Sequence, residues 1–186
     1  MDRCPWSNND ELLTKYHDEE WGVPVHNDDK HFEFLILEIH QAGLSWKTVL
    51  NKRENFRKAY DKFKPSIVAN YDKGKISELL NNIGIIRNKL KIEASVYDAK
   101  LFLDIQKEFG SFDNYIWGFV NNTPLVNSWE NESDIPTRTE LSDVISSNLK
   151  KRGFKFVGST IIYAHLQAVG IVNDHIINCF RYRRLV

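Results

Sequence analysis

Two cysteines and two histidines that could share one metal ion stand at opposite ends of this 186-residue chain. Cys4 and His17 lie near the N-terminus, and His175 and Cys179 lie near the C-terminus. The last two are spaced i, i+4, so a helix there would place both side chains on one face. Two thiolates and two imidazoles complete a tetrahedral zinc site without an open position for water. Such a metal would be structural and would leave the chemistry to other residues.

Other interpretations of these four residues remain open from spacing alone. The separation of Cys4 and His17 is longer than in a standard zinc knuckle, so the four could be buried thiols and surface histidines. A disulfide is a further alternative, although nothing in the sequence indicates an oxidising compartment. No apolar run follows a basic N-terminus, and no segment approaches the length of a membrane span. We therefore expect a cytoplasmic protein that does not associate with a membrane.

A single carboxylate, Glu38, is the second candidate for chemistry. On a helix it shares a face with Phe34, Leu35 and Ala42. A carboxylate among apolar neighbours is costly unless something compensates for its burial. Glu38 could be bonded to a cation or an indole N–H inside a buried helix. It could instead recognise a ligand in a pocket and have a raised pKa.

Aromatic side chains are concentrated close to Glu38 in the sequence. Trp6, Tyr16, Trp21 and Trp46 all fall in the first quarter of the chain. Aromatic residues at helical spacing belong more often to a core than to a binding site. Several of them around one carboxylate would suit a planar, partly cationic heteroaromatic ligand, because the rings stack on it and the carboxylate accepts from its N–H edge.

A basic turn in the middle of the chain is the third feature. A helix is predicted to end near Ile83, Gly84 permits a tight turn, and a new helix is predicted from Lys89. Backbone amides at such a turn and at a helix N-terminus can bind a phosphate, with Arg87, Lys89 and Lys91 beside it. The pattern is typical of a helix-hairpin-helix, and it also fits an ordinary pair of helices joined by a solvated turn.

The elements that must position these groups are helical. Apolar residues recur at intervals of three or four, between capping Asp, Ser or Thr residues and terminal Gly or Pro residues. The main predicted helices span 31–42, 46–64, 73–83, 89–107, 112–119, 140–152 and 159–169, with a long polar loop at 121–137. No segment alternates with period two. We therefore predict an all-α fold.

Length and charge limit the remaining choices. The chain is long enough for one domain, residues 1–186, built as one core or as two helical lobes that share it. Lys plus Arg and Asp plus Glu both number 25, so the net charge is zero. This balance argues against a non-specific polyelectrolyte binder but leaves room for a local basic patch.

Eight stretches carry a resemblance to a known family. They are Arg3-Cys4, Tyr16 to Asp18, Glu20 to Pro24, Gln41 to Trp46, Lys52 to Glu54, Gly84 to Arg87, Lys150 to Gly158 and Val172 to His175. In these stretches the chain resembles the bacterial 3-methyladenine DNA glycosylase I family, nearly end to end. The resemblance implies an all-helical fold of the helix-hairpin-helix glycosylase superfamily, with the hairpin at about residues 76–95. It also implies a base-excision repair enzyme that binds alkylated duplex DNA.

The resemblance assigns roles to matching residues of this chain. The implied ligands of one structural zinc are Cys4, His17, His175 and Cys179. The implied base-pocket residues are Tyr16, Glu38 and Trp46, with Trp6 and Trp21 beside them. The implied DNA contacts are Gly43 and Leu44, as a wedge in the gap left by the flipped nucleotide, and Gly84, Arg87 and Lys89 in the phosphate-binding hairpin.

The implied reaction is hydrolysis of the N-glycosyl bond of 3-methyladenine after the nucleotide has been flipped out of the duplex. Methylation at N3 makes the base cationic and weakens this bond, so we expect Glu38 to act mainly by its negative charge. The sugar cation that forms is captured by water. A Schiff-base enzyme of the superfamily carries Lys after the hairpin Gly. Here Gly84 is followed by Ile85, so we expect a monofunctional enzyme, and nothing indicates an oligomer.

Two alternatives to this function are kept. A non-enzymatic, zinc-stapled lesion-binding or DNA-binding module would use the same hairpin and wedge without turnover. A zinc hydrolase would need one of the four residues not to bind the metal, which would open a coordination position. Release of free base separates the first alternative from the glycosylase. Chelation that abolishes activity without unfolding would indicate the second.

Overall fold

The computed structural model describes residues 2–8 and 10–185, and within them the fold is mainly helical. The predicted span 1–186 therefore includes three residues outside the described part, Met1, Asn9 and Val186. The helices are α1 (Glu11–Glu19), α2 (Asp28–Gln41), α3 (Trp46–Ala59), α4 (Pro65–Val68), α5 (Lys73–Asn81), α6 (Lys89–Phe109), α7 (Phe112–Gly118), α8 (Glu140–Lys151) and α9 (Ser159–Ala168).

Two short strands correct the prediction of a purely helical chain. β1 (Leu125–Val126) pairs in parallel with β2 (Val172–Asn173). The Leu125 amide donates to the Ile171 carbonyl at 2.9 Å, and the Asn127 amide donates to the Asn173 carbonyl at 3.1 Å. Two residues are too few to show an alternating pattern, which is why the sequence did not reveal them. The pairing holds the long loop against the segment that leads to His175.

Several helices begin at capping residues of the predicted types, whereas α2 is capped by an asparagine. Ser45, Asp72, Ser111 and Thr139 each accept a hydrogen bond from the amide three residues later. In α2 the cap is Asn27, which accepts from the Lys30 amide at 3.0 Å. Asp28 and Asp29, which by residue type could also cap this helix, lie in its first turn, and Asp28 accepts from the first amides of α7.

Two predicted boundaries are wrong. Pro65 was expected to end the third helix, but α3 ends at Ala59 and Pro65 begins α4. The chain between them reverses through residues 61–63, which have φ angles of 48°, 58° and 56°. Ile83 was expected on the face of α5, yet α5 ends at Asn81 and Ile83 is 79% exposed. Pro65 begins α4 rather than ending a helix because proline is favourable at the first position, where its missing N–H would have had no partner.

α2 is the central helix of the core. Residues 31–40 are all buried, and α2 contacts α3, α6, α7 and α9. A helix that is enclosed on all sides buries even its polar positions. Glu38 is therefore buried because of its position on α2 and not because its carboxylate has a partner there. No helix in the described ranges is both long and apolar enough to cross a bilayer.

Candidate functional site

All five side chains predicted to contact a ligand line one cavity of about 440 Å³, here called the base pocket. They are Trp6, Tyr16, Trp21, Glu38 and Trp46. The cavity is within the size range of small-molecule sites, which are typically apolar with a few polar groups. The interpretation of these aromatic residues as a pocket wall rather than as core alone is therefore supported.

The Glu38 carboxylate is buried without a partner. Its side chain is 4% exposed, and no described residue donates a hydrogen bond to it or forms an ion pair with it. Burial raises the pKa of Glu38 to about 8. The alternative in which a cation or an indole N–H compensates for its burial is wrong for this structure. An unpaired carboxyl group beside a cavity is a strong candidate for ligand recognition.

The aromatic rings form one tilted pair and one edge-to-face pair around the base pocket. Tyr16 and Trp46 have ring centroids 5.4 Å apart at 48°, and Trp6 and Trp21 have centroids 5.1 Å apart at 80°. The indole Nε1 of Trp46 is buried and has no hydrogen-bond partner among the described residues. Buried indole N–H groups usually have a partner. Trp46, which lines the base pocket, therefore carries an unpaired donor, and Glu38 carries an unpaired acceptor.

One wall of the base pocket was not identified from the sequence. It is formed by one face of α9, with Thr160, Tyr163, Ala164 and Gln167, and by residues 132 and 135–137 of the long loop. The α9 residues follow the spacing i, i+3, i+4, i+7, which defines one helical face. This face of polar and small residues was the sequence feature that could have indicated the wall. The loop residues carry no periodicity that could have indicated them.

Asp174 joins this wall to the loop. Its Oδ1 accepts from the Asn127 amide group and from the Trp129 indole, each at 2.7 Å. Its Oδ2 accepts from Gln167 at 2.7 Å and from the Tyr163 hydroxyl. Four donors saturate the two oxygens of an ionised carboxylate. Asp174 thus fixes α9 and the loop together from behind the base pocket.

The four predicted metal ligands lie together and are fully buried, here called the metal cluster. Their ligand atoms all lie within 4.8 Å of one another. Cys179 Sγ is 3.4 Å from His17 Nε2 and 3.5 Å from His175 Nδ1, and Cys4 Sγ is 3.6 Å from His175 Nδ1. Metal–ligand bonds of about 2.0–2.3 Å at tetrahedral angles separate the ligands by about 3.3–3.8 Å. The cluster can hold a metal ion.

The second ring nitrogen of each histidine in the cluster is also engaged. His17 Nδ1 lies 2.8 Å from Asp18 Oδ1, and His175 Nε2 lies 3.1 Å from the Trp21 carbonyl. Such partners orient metal-binding imidazoles and fix their tautomers. The neighbouring Cys4 thiol and the two imidazoles lower the pKa of the Cys179 thiol. Both cysteines are free, so the disulfide alternative is wrong.

The local structure at His175 and Cys179 differs from the expectation. The segment between them is not helical but forms a turn. The turn still brings the ligand atoms of both residues together, so the predicted proximity is correct. The prediction that a helix would bring them together is wrong. The pairing of β1 with β2 and the Asn173 carboxamide, which accepts from the His175 amide at 3.2 Å, shape this segment instead.

The segment predicted as a wedge is a tight, exposed turn beside the base pocket, here called the wedge loop (residues 42–45). Gly43 has a φ of +80°, and Leu44 is 41% exposed. The Leu44 amide donates to the Gln41 carbonyl at 2.6 Å, and the Gln41 side chain donates to the Leu44 carbonyl at 3.2 Å. Because Gln41 also lines the base pocket, the exposed leucine stands next to the pocket wall.

The basic turn between α5 and α6 is here called the hairpin (residues 82–88). Lys52 donates to the Ile83 carbonyl at 3.2 Å, and the Asn82 side chain accepts from the Gly84 amide at 2.8 Å. Among the described residues, the Ile86 and Arg87 amides donate to no protein group. Arg87 and Lys89 are exposed as predicted, but Lys91 is buried and cannot lie beside a phosphate at the surface.

Comparisons with known proteins agree with this site. A family model described as methyladenine glycosylase matches residues 6–182. The chain is 46% identical over 182 residues to DNA-3-methyladenine glycosylase 1 of Escherichia coli, covering 98% of this chain and 97% of that protein. It is 44% identical to the DNA-3-methyladenine glycosylase of Haemophilus influenzae, covering 95% of this chain and 96% of that protein.

A solved structure of 3-methyladenine DNA glycosylase I from Staphylococcus aureus, described as the structural basis of 3-methyladenine recognition, is 34% identical. It superposes with a TM-score of 0.93 and covers 97% of this chain and 96% of that one. By fold and by sequence the protein is therefore a glycosylase enzyme. The chain belongs to the methyladenine glycosylase family.

Proposed function

We propose that this protein is a monofunctional DNA glycosylase that flips 3-methyladenine out of alkylated duplex DNA and hydrolyses its N-glycosidic bond. The observation that carries the proposal is the unpaired Glu38 carboxylate in a cavity walled by aromatic rings. The substrate is the one named for the relatives, and it has the charge and shape that this cavity suits. We place the reaction in the cytoplasm and expect a monomer.

Base recognition would combine stacking with charge. Tyr16 and Trp46 would stack on the flipped purine, with Trp6 and Trp21 closing the aromatic wall. Glu38 would accept hydrogen bonds from the N–H edge of the base. A cationic ring beside Glu38 favours the ionised carboxylate and lowers the pKa that burial has raised. Methylated adenine would therefore bind better than neutral adenine.

The same charge would assist bond cleavage. Methylation at N3 already makes the adenine a good leaving group, so no strong general acid is required. The ionised Glu38 holds the cationic base in the pocket until the glycosidic bond breaks and its electron pair leaves with the base as neutral 3-methyladenine. Water then adds to the oxocarbenium-like sugar and loses a proton. Ile85, rather than a lysine, follows the hairpin Gly84. No amine is therefore placed there for a Schiff base, and strand cleavage is not expected.

Two exposed elements would hold the DNA. The hairpin has free backbone amides at Ile86 and Arg87 and the cations Arg87 and Lys89 beside them, as a helix-hairpin-helix needs to bind a phosphate. The wedge loop presents Gly43 and Leu44 next to the base pocket. An apolar side chain can fill the space in the stack when a base leaves it, as minor-groove proteins do with inserted leucines.

The metal cluster would hold one structural zinc. Two sulfurs and two imidazole nitrogens at tetrahedral separations fit Zn²⁺, and four protein ligands leave no site for a reactive water. When bound, zinc would supply a cross-link between the chain ends and no step of the reaction. The cluster also supports the base pocket, because Trp21 lies against His175 with ring centroids 4.5 Å apart and Trp6 against His17 at 5.4 Å.

Base release from methylated duplex DNA tests the proposal. Free 3-methyladenine and 7-methylguanine would be separated by chromatography after incubation with purified protein. We expect 3-methyladenine to be released while 7-methylguanine stays in the DNA, because the pocket accepts a methylated adenine edge at Glu38. Glu38→Gln serves as the matched control, since it keeps the shape of the side chain and removes its charge.

Other outcomes would contradict the proposal. A folded protein that binds methylated DNA without releasing any base would be the lesion-binding module. Equal release of both bases would show that the pocket does not select by the charge and shape argued here. Release by Glu38→Gln at the wild-type rate would remove Glu38 from the recognition mechanism.

A further inference from the structure

Lys91 is a buried lysine whose ammonium group caps the end of the helix that carries Glu38. Its side chain is 6% exposed, although it lies in the first turn of α6. The Nζ atom donates to the His40 carbonyl at 3.0 Å and to the Ala42 carbonyl at 2.5 Å. These are among the last carbonyls of α2 and the first of the wedge loop, which have no partners within the helix.

A lysine is rarely buried to this degree without a specific reason, because its charge must leave water. Desolvation lowers the pKa of Lys91. The negative end of the α2 dipole and the two carbonyls compensate for this loss of hydration. A single ammonium group that donates to the carbonyls of both His40 and Ala42 ties the end of α2 to the wedge loop.

Lys91 joins two surfaces that would contact DNA separately. Its own helix begins at Lys89, directly after the hairpin, and the Lys91 amide is capped by Asn88 at 3.2 Å. The Ala42 carbonyl that it holds begins the wedge loop, whose other described hydrogen bonds join Leu44 to Gln41 and, through the Ser45 cap, the loop to Thr48 of α3. The ammonium group thus links the first turn of α6, which directly follows the hairpin, to the end of α2 and the start of the wedge loop.

We propose that Lys91 is a positioning residue that sets the wedge loop relative to the phosphate-binding hairpin, so that binding of the backbone places Leu44 at the base to be flipped. This inference rests on the proposed function. Lys91 is not among the residues that line the base pocket. Its contribution therefore concerns extrusion of the nucleotide from a duplex and not recognition of the base once extruded.

This separation defines the experiment. One oligonucleotide is methylated as a single strand and divided, and half of it is annealed to its complement. Single-turnover release of 3-methyladenine is measured on both substrates for the wild type and for Lys91→Met, which keeps an unbranched chain and removes the donors. We expect release from the duplex to fall about 10-fold or more, because misplacement by about 1 Å can cost about 100-fold. Release from the single strand and binding of free 3-methyladenine should stay within about twofold.

Lys100→Met is the matched control. Lys100 lies on the same helix but is exposed, so the substitution changes the same chemical groups away from the wedge loop. It should leave both substrates unaffected. If Lys91→Met does not fold, Lys91→Gln replaces it, since its amide group still fills the site and can donate to one carbonyl.

A double-substitution cycle with Leu44→Ala tests whether Lys91 acts through the wedge loop. Residues that work as one unit give non-additive losses. Lys91→Met added to Leu44→Ala should therefore reduce duplex release little further. Full additivity of the two losses would overturn the inference.

Two other results would overturn it as well. An equal loss on duplex and single strand would make Lys91 a structural residue of the pocket or fold, and no loss on the duplex would make the link irrelevant. Failure of the proposed function itself looks different. The wild type would then release no base from either substrate, which would remove the reaction that Lys91 is inferred to serve.

Discussion

Glu38 combines its proposed role in base recognition with a cost to stability, and both follow from its burial. The carboxylate has no partner in the described structure, and burial raises its pKa to about 8. Near neutral pH the empty pocket thus holds mainly the protonated acid. A cationic base restores the charge by supplying the missing counterion. The group is therefore prepared for one class of ligand and is unfavourable for the protein without it.

The first prediction concerns the activity of Glu38→Gln. The amide cannot attract a cationic ring and makes weaker hydrogen bonds than a carboxylate. We expect kcat/KM for release of 3-methyladenine to fall about 100-fold, the size found when one preorganised electrostatic group is removed. Single-turnover release from methylated duplex DNA measures it. Release by Glu38→Gln at the wild-type rate would contradict the electrostatic argument.

The second prediction concerns the stability of the same variant as a function of pH. The pKa of Glu38 is about 8 in the folded chain and near its ordinary value of 4.5 when unfolded. The folded state therefore binds the extra proton between these values, and the wild type loses stability as pH rises through this range. Glu38→Gln lacks this loss and should melt higher at pH 8.5 by about 5 °C. The difference should nearly vanish at pH 4.5, and a constant difference across the range would refute the argument.

At the scale of elements, the sequence predicted the helices better than it predicted what they enclose. Ser45, Asp72 and Thr139 cap helices as expected because capping is decided by one side chain and a nearby amide. The face of α9 that lines the base pocket could have been recognised from its spacing. The loop residues 132 and 135–137 could not, since the long loop is held by Asn127 and Trp129, which bind Asp174 47 and 45 positions further along the chain.

Asp174 gives the third prediction, at the scale of the elements that it joins. Asp174→Asn keeps the size of the side chain but turns one acceptor toward a donor, so at least one of the four hydrogen bonds is lost. We expect the α9 wall and the loop to loosen and release of 3-methyladenine to fall about 10-fold. The loss should be equal on duplex and single-stranded substrates, because the base pocket itself is affected.

This pattern distinguishes Asp174 from Lys91, whose replacement should affect the duplex alone. Asp104→Asn is the control for Asp174→Asn, since Asp104 is exposed and pairs only with the neighbouring Lys107. Zinc content should be equal in both variants and the wild type, because neither aspartate is in the metal cluster. A loss of zinc in Asp174→Asn would mean that the effect passes through the adjacent His175 instead.

At the scale of the whole molecule, the metal cluster connects the two ends of the chain. Cys4 and His175 are 171 positions apart in sequence and have their ligand atoms 3.6 Å apart. A metal ion there would close a loop of nearly the whole chain, and long closed loops restrict the unfolded state most. The cluster also lies directly behind Trp6 and Trp21, so closure of the chain and formation of the base pocket depend on the same residues.

The fourth prediction is therefore that removal of the metal unfolds the base pocket together with the metal cluster. The purified protein should contain about one zinc per chain, and a strong chelator should lower its melting temperature by more than about 10 °C, since structural zinc binding is coupled to folding. Binding of free 3-methyladenine, followed by tryptophan fluorescence, should be lost together with the metal, because Trp21 contacts His175 directly. Added Zn²⁺ should restore both. Cys179→Ala should reproduce the chelated state without a chelator.

Loss of base release with an unchanged melting temperature would instead mean that the metal has an open position and takes part in hydrolysis. The expected parallel loss follows from four buried ligands that leave no such position.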